Sequence, residues 1–140
     1  MAEILHSLII KVPPTQVYAA LTETKGLANW WTRSSSGQSQ VDAVLKFAFN
    51  RGEVTFKMRV IRLLPNRTVT WRCIEGVDEG RNTQIIFELE TLRQGTRLHF
   101  THSGWTRTDQ AYPVCNYEWA SYLNSLQNYL EKGHGFPAKG

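Results

Sequence analysis

The chain has 140 residues, 41% of them hydrophobic and five of them tryptophan, with a net charge of +4. That is enough chain for one domain, residues 1–140, to bury a core without staples, and the composition excludes a disordered protein. No apolar run approaches the roughly 18 residues that would cross a membrane. The arginines are scattered singly among acids such as Glu53, Glu75, Glu88 and Glu90, which argues against a nucleic-acid partner, since a phosphate-tracking surface needs clustered cations.

The N-terminus, MAEILHSLIIKV, has no basic segment and no small-residue cleavage site. It reads as a strand and not as a signal peptide, and a cytoplasmic location is expected. Within residues 4–12, His6, Leu8, Ile10 and Val12 share one face. Pro13-Pro14 stops the strand, and Pro14 opens a helix, PTQVYAALTE, with Val17, Ala20 and Leu21 as its apolar stripe. A second short helical turn at about residues 24–31 ends in Trp30-Trp31, and SSSGQSQ after it reads as a polar, flexible loop.

Strand follows strand through the middle of the chain. Leu45, Phe47 and Phe49 alternate with polar or small residues, as do Val54, Phe56, Met58 and Val60 after Gly52. Beyond the Pro65-Asn66 turn come Val69, Trp71 and Cys73; GVDEGRN, residues 76–82, is a loop. Ile85, Phe87 and Leu89 then lead through Gln94-Gly95 to Leu98, Phe100 and His102. One apolar and one wet face per strand is the pattern of an antiparallel sheet covered on one side.

The last element is YPVCNYEWASYLNSLQNYLEKG, an amphipathic helix with Pro113 suited to its start and Gly133 to its end. At about 100° per residue, Cys115, Trp119, Tyr122, Leu123, Leu126, Tyr129 and Leu130 share one arc. Tyr117 falls outside it, and Glu118 at its edge. This helix is the only long one available to cover the sheet.

Motifs for chemistry are sparse. There is no GxSxG and no phosphate-binding glycine loop. Cys73 and Cys115 sit in apolar patterns and read as buried thiols. His99 and His102 are three apart on a strand, so they point to opposite faces and cannot converge on a metal. No metal site, cofactor or catalytic constellation is expected. His102, in phase with Leu98 and Phe100, faces inward, where it could meet a polar group or be satisfied within the protein.

The order strand, helix, short helix, five strands, long helix resembles the helix-grip fold. The opening IIKVPPTQVYAALTETKGLANWW is similar to the N-terminal signature of the SRPBCC or START-like superfamily. LHFTHSGW and EWASYLNSLQNYLEKG resemble the closing strand and helix of the branch named for the activator of heat-shock protein 90 ATPase. The resemblance implies an α+β fold: a curved antiparallel sheet of about six strands wrapped around a long C-terminal helix, with two short helices after the first strand. It also implies a cavity between sheet and helix. Proteins with this fold include lipid carriers, hormone receptors and polyketide cyclases, and homodimers are common among them.

Alternation and the helical arc then supply the expected wall: Phe47, Phe56, Met58, Trp71, Phe87, Phe100, Trp119, Tyr122 and Leu123. Trp31 and Trp105 are expected at the mouth, with His102 orienting a ligand's polar group. The function this implies is binding of a small apolar or amphipathic molecule. The alternatives are a cyclase-, dehydratase- or hydrolase-like enzyme using the same cavity, and a chaperone-related or self-associating interaction module whose anchors would be Trp30, Trp105 and Tyr117 if exposed.

Overall fold

The computed structural model describes residues 2–76 and 78–140; Met1 and Val77, the latter inside the loop expected at 76–82, lie outside the described residues. In chain order the elements are β1 (Ala2–Ile10), α1 (Pro14–Thr22), α2 (Thr24–Trp30), β2 (Ser34–Ser36), β3 (Val44–Phe49), β4 (Val54–Leu64), β5 (Thr68–Glu75), a 3-10 turn (Asp78–Gly80), β6 (Gln84–Leu92), β7 (Gly95–Trp105) and α3 (Ala111–Lys132). Among the described residues the strands form one seven-stranded sheet in the order β1-β7-β6-β5-β4-β3-β2, antiparallel at every pairing. This is the expected α+β helix-grip frame with one strand added.

The added strand is β2, inside the segment SSSGQSQ that reads as a loop. Polar anchoring, not apolar alternation, makes it a strand. Fully buried Thr32 donates its hydroxyl to the Ala48 carbonyl (2.6 Å), Ser35 donates to Thr32 O (2.7 Å), and Ser34–Ser36 then pair with β3.

Register aligns the inward residues in rows across the sheet, because the side-chain period of a strand is two. One row runs Val69, Phe87, Phe100, His6; the next runs Trp71, Ile85, His102, Ile4; a third joins Leu45, Met58 and Cys73. Register shifts at Lys57/Met58 and Val60/Arg62 bend β4 against β5. The convex face carries the charges, with Lys57 beside Glu75 (3.5 Å) and Glu90 shared by Arg97 (3.7 Å) and His99 (3.2 Å). His99 and His102 do point to opposite faces.

α3 begins two residues before Pro113, at Ala111, whose amide donates to the Glu79 carboxylate (2.9 Å). An acidic group there complements the positive end of the helix. The helix ends at Gly133, which takes the left-handed conformation expected of a C-cap (φ 88°). Leu123, Ser125 and Leu126 seat its second half in the core; Tyr117, 71% exposed, faces outward. Trp30 and Trp105 are buried, at 0% and 1% exposure, so neither is a surface anchor.

After α3 the chain folds back as a tail. Asn128 Nδ2 donates to His134 O (2.6 Å), the Phe136 amide to Ser125 Oγ (2.7 Å), the Ala138 amide to Trp31 O (2.8 Å), and the Arg33 amide to Ala138 O (3.0 Å). Ser125 is the hub, since its hydroxyl also donates to the Trp30 carbonyl (2.7 Å) while 1% exposed. Ser125→Ala strands both of those backbone groups, so it should cost about 1–3 kcal/mol. Urea unfolding read by tryptophan fluorescence checks this; an unchanged midpoint would remove Ser125 as the link between tail and core.

Candidate functional site

Between the concave sheet and the first half of α3 lies a cavity of about 330 Å³. Its walls are Trp31, the β3–β4 hairpin (Phe49, Asn50, Val54, Phe56, Met58), Cys73, Gly80, Ile85, His102 and Trp105 from the sheet side, Cys115, Glu118, Trp119 and Tyr122 from α3, and Ala138 from the tail. The mouth is where Asn50, Val54, Glu118 and Ala138 are exposed or half-buried. Phe56 leans on Gly76, where a Cβ would stand 2.4 Å from its ring.

Of the residues expected at wall or mouth, Trp31, Phe56, Met58, His102, Trp105, Trp119 and Tyr122 line this space. Phe47, Trp71, Phe87, Phe100 and Leu123 do not; they are at most 2% exposed and form the layer beneath. The reason is ring-on-ring cover. Trp31 lies over Phe47 (ring centroids 4.2 Å) and stacks on Trp71 (5.8 Å, 5° between planes), while Trp119 lies over Phe100 (4.5 Å) and Phe87 (6.3 Å). Leu123, one turn beyond Trp119, falls where α3 has already reached the core. Trp31 and Trp105 also sit deeper than the mouth, at 3% and 1% exposure.

Several lining residues escaped the sequence reading although a signal existed. Phe49, Val54, Cys73 and Ile85 continue the inward phases of their strands, and Cys115 lies on the helix arc one turn before Trp119. Asn50, Gly80 and Ala138 come from a turn, the 3-10 turn and the tail, which have no periodicity to follow.

His102 is 5% exposed, and both its ring nitrogens are engaged. Trp119 Nε1, which can only donate, gives its hydrogen to His102 Nδ1 (3.1 Å). The proton of the imidazole is therefore on Nε2, which donates to Thr83 Oγ1 (2.8 Å), and that hydroxyl donates onward to Gly80 O (2.5 Å). Burial lowers the His102 pKa from its ordinary 6.5 to about 4. A neutral imidazole with no free nitrogen is a support for Trp119, not an orienting group for a ligand and not a proton carrier at neutral pH.

The remaining lining groups are held in one state for related reasons. Burial, reinforced by the Glu118 charge, raises the Cys115 thiol to about 11 and the Tyr122 hydroxyl to about 12. Burial also raises the Cys73 thiol. The Tyr122 hydroxyl points to Glu118 Oε2 at 3.5 Å. Glu118 is the one formally charged side chain among the described residues of the lining.

A sealed, empty space of 330 Å³ would be costly. At about 24 cal/mol per Å³ it would forfeit ~8 kcal/mol, as much as the whole stability of a small domain. The opening past Asn50 and Glu118 makes the space accessible instead, so it does not carry the cost of a sealed void.

Residues 11–131 match the family described as Activator of Hsp90 ATPase homolog 1-like protein. The solution structure of the Aha1 dimer from Colwellia psychrerythraea is 40% identical, covering 96% of this chain and 100% of that one, with a TM-score of 0.88. A crystal structure from Staphylococcus saprophyticus matches at 18% identity, 99% and 98% coverage and a TM-score of 0.82. An AHSA1-like protein from Aeromonas hydrophila matches at 16% identity, 94% of each chain and a TM-score of 0.76. At those identities the last two speak to the fold alone. A comparison with curated proteins found no match.

The His102 shift has a pH consequence. As pH falls through 6.5 the unfolded chain takes up a proton at this site, whereas the folded chain does not until about 4. The unfolded state binds more protons across that window, so stability falls on acidification, by up to about 3 kcal/mol from this group. His102→Gln keeps one donor and one acceptor without a titration. Unfolding free energies at about pH 7 and about pH 4.5 should therefore show a smaller acid loss in the variant; equal losses would mean that His102 is not held neutral.

Proposed function

The chain belongs to the Activator of Hsp90 ATPase homolog 1-like family, and on that premise we propose that it is a binding protein for a small, largely apolar molecule held between the sheet and α3. The observation that carries this is the open, aromatic-walled cavity of about 330 Å³, a size and lining suited to a small organic ligand. Binding is favoured over turnover because His102 is held neutral and fully bonded, while Cys115 and Tyr122 are held protonated. General acid–base work needs a group that exchanges a proton near the operating pH.

The interaction-module reading keeps Tyr117 as an exposed aromatic and loses Trp30 and Trp105 to the core. Self-association has separate support from the dimeric state named for the Colwellia protein. Exposed Val114 and Tyr117 on α3 and Leu5 and Ile9 on β1 are apolar surface available to a second copy.

Val54→Trp tests the cavity. Val54 is half-buried at the mouth, so an indole there should block entry while changing stability by no more than about 1 kcal/mol. Native mass spectrometry of the gently purified protein should show an added mass, lost on denaturation in the wild type and missing in Val54→Trp. An adduct equally abundant in both proteins would place the bound molecule elsewhere. The same spectrum, or light scattering, should give twice the 16.1 kDa chain mass; a strictly monomeric protein would remove the self-association reading.

A further inference from the structure

The cavity has an asymmetry of charge. Six aromatic rings line it, those of Trp31, Phe49, Phe56, Trp105, Trp119 and Tyr122, and the single formal charge, Glu118, stands at the mouth. Among the described lining residues there is no lysine or arginine. Arg81, whose charge reaches Cys73 from outside the lining, is engaged by Asp78 at 3.9 Å. The Glu118 charge acts on both neighbouring protons, raising the Tyr122 hydroxyl and the Cys115 thiol, and Glu79 adds to it at Cys115.

An anionic head group entering here would meet the Glu118 carboxylate with no lysine or arginine of the lining to pair it, only neutral donors such as the Asn50 amide. A hydrated metal ion would have to exchange its water for aromatic walls and one carboxylate, which is not a ligand set for a hard cation. An organic cation meets neither obstacle. It carries its own apolar surface, aromatic quadrupoles attract it, and Glu118 supplies the counter-charge.

We propose that the cavity, read as the ligand site above, selects a hydrophobic organic cation: an aryl- or alkylammonium whose nitrogen sits at Glu118 and whose apolar body lies between Trp31, Phe56 and Trp119. Tyr122 supports the carboxylate from the helix side, its hydroxyl 3.5 Å from Glu118 Oε2.

Three probes of matched shape test this: naphthylmethylammonium, naphthylmethanol and naphthoate, titrated calorimetrically into the full chain. The ammonium should bind at least about tenfold tighter than the alcohol, with naphthoate the weakest. Glu118→Gln should bring the ammonium down to the alcohol's affinity and leave the alcohol unchanged. In the wild type, added salt should weaken the ammonium alone. If alcohol and ammonium bind alike, if naphthoate binds tightest, or if neither salt nor Glu118→Gln affects the ammonium, the charge preference is overturned while the cavity reading stands. If none of the three binds, both readings fall.

Discussion

The seat of α3 depends on two buried hydrogen bonds, from the Trp119 indole to His102 on β7 and from the Ser125 hydroxyl to the carbonyl that ends α2. Hydrophobic burial favours covering the sheet but is non-directional and would tolerate a helix rolled or slid along the concave face. Directed bonds remove that freedom. Trp119 held by its nitrogen is fixed at a tilt over Phe100 and edge-on to Phe87, and Ser125 pulls the next two turns down among α1, α2 and the core. With the second half of the helix seated, the first half projects over the β3–β4 hairpin without filling the space beneath. The cavity is the geometric remainder of where those two bonds lie.

That remainder also explains how far the sequence could be read. Strand phase follows from alternation, so the inward residues of β3 to β7 and the inner arc of α3 were legible. Depth was not. Phe47 and Phe56 share a phase and face one another across β3 and β4, yet one is sealed under Trp31 and the other borders open space. Alternation says which way a side chain points and nothing about what lies above it. β2 was illegible for a different reason: its pairing rests on Thr32 and on Ala138, more than a hundred residues later, and serines carry no periodic signal. His102 was legible as an inward histidine, but its bonding required Thr83, which belongs to no pattern.

Family membership and site chemistry contribute separately here. The shared frame explains why a sheet should curve about a helix; it does not determine what the enclosed space accepts. That rests on local features: a stack of rings that covers the core, thiols and a phenol kept protonated by burial, a histidine spent on holding a tryptophan, and one carboxylate at the rim. The same desolvation that silences the titratable groups strengthens any electrostatic contact a bound molecule makes with that rim. A pocket poor in proton-transfer groups can thus still discriminate among ligands.

The tail adds a constraint of timing. Ala138 borders the cavity and pairs beside Thr32, so the rim joins pieces of chain separated by most of the sequence. As a ribosome delivers the chain, the hairpin, the ring layer and α3 are all available before the segment that finishes the rim. Domains generally fold as units, and until residue 138 has turned back beside Thr32 the rim lacks the piece that Ala138 supplies. A molecule held against Ala138 would therefore couple its own binding to the return of the tail.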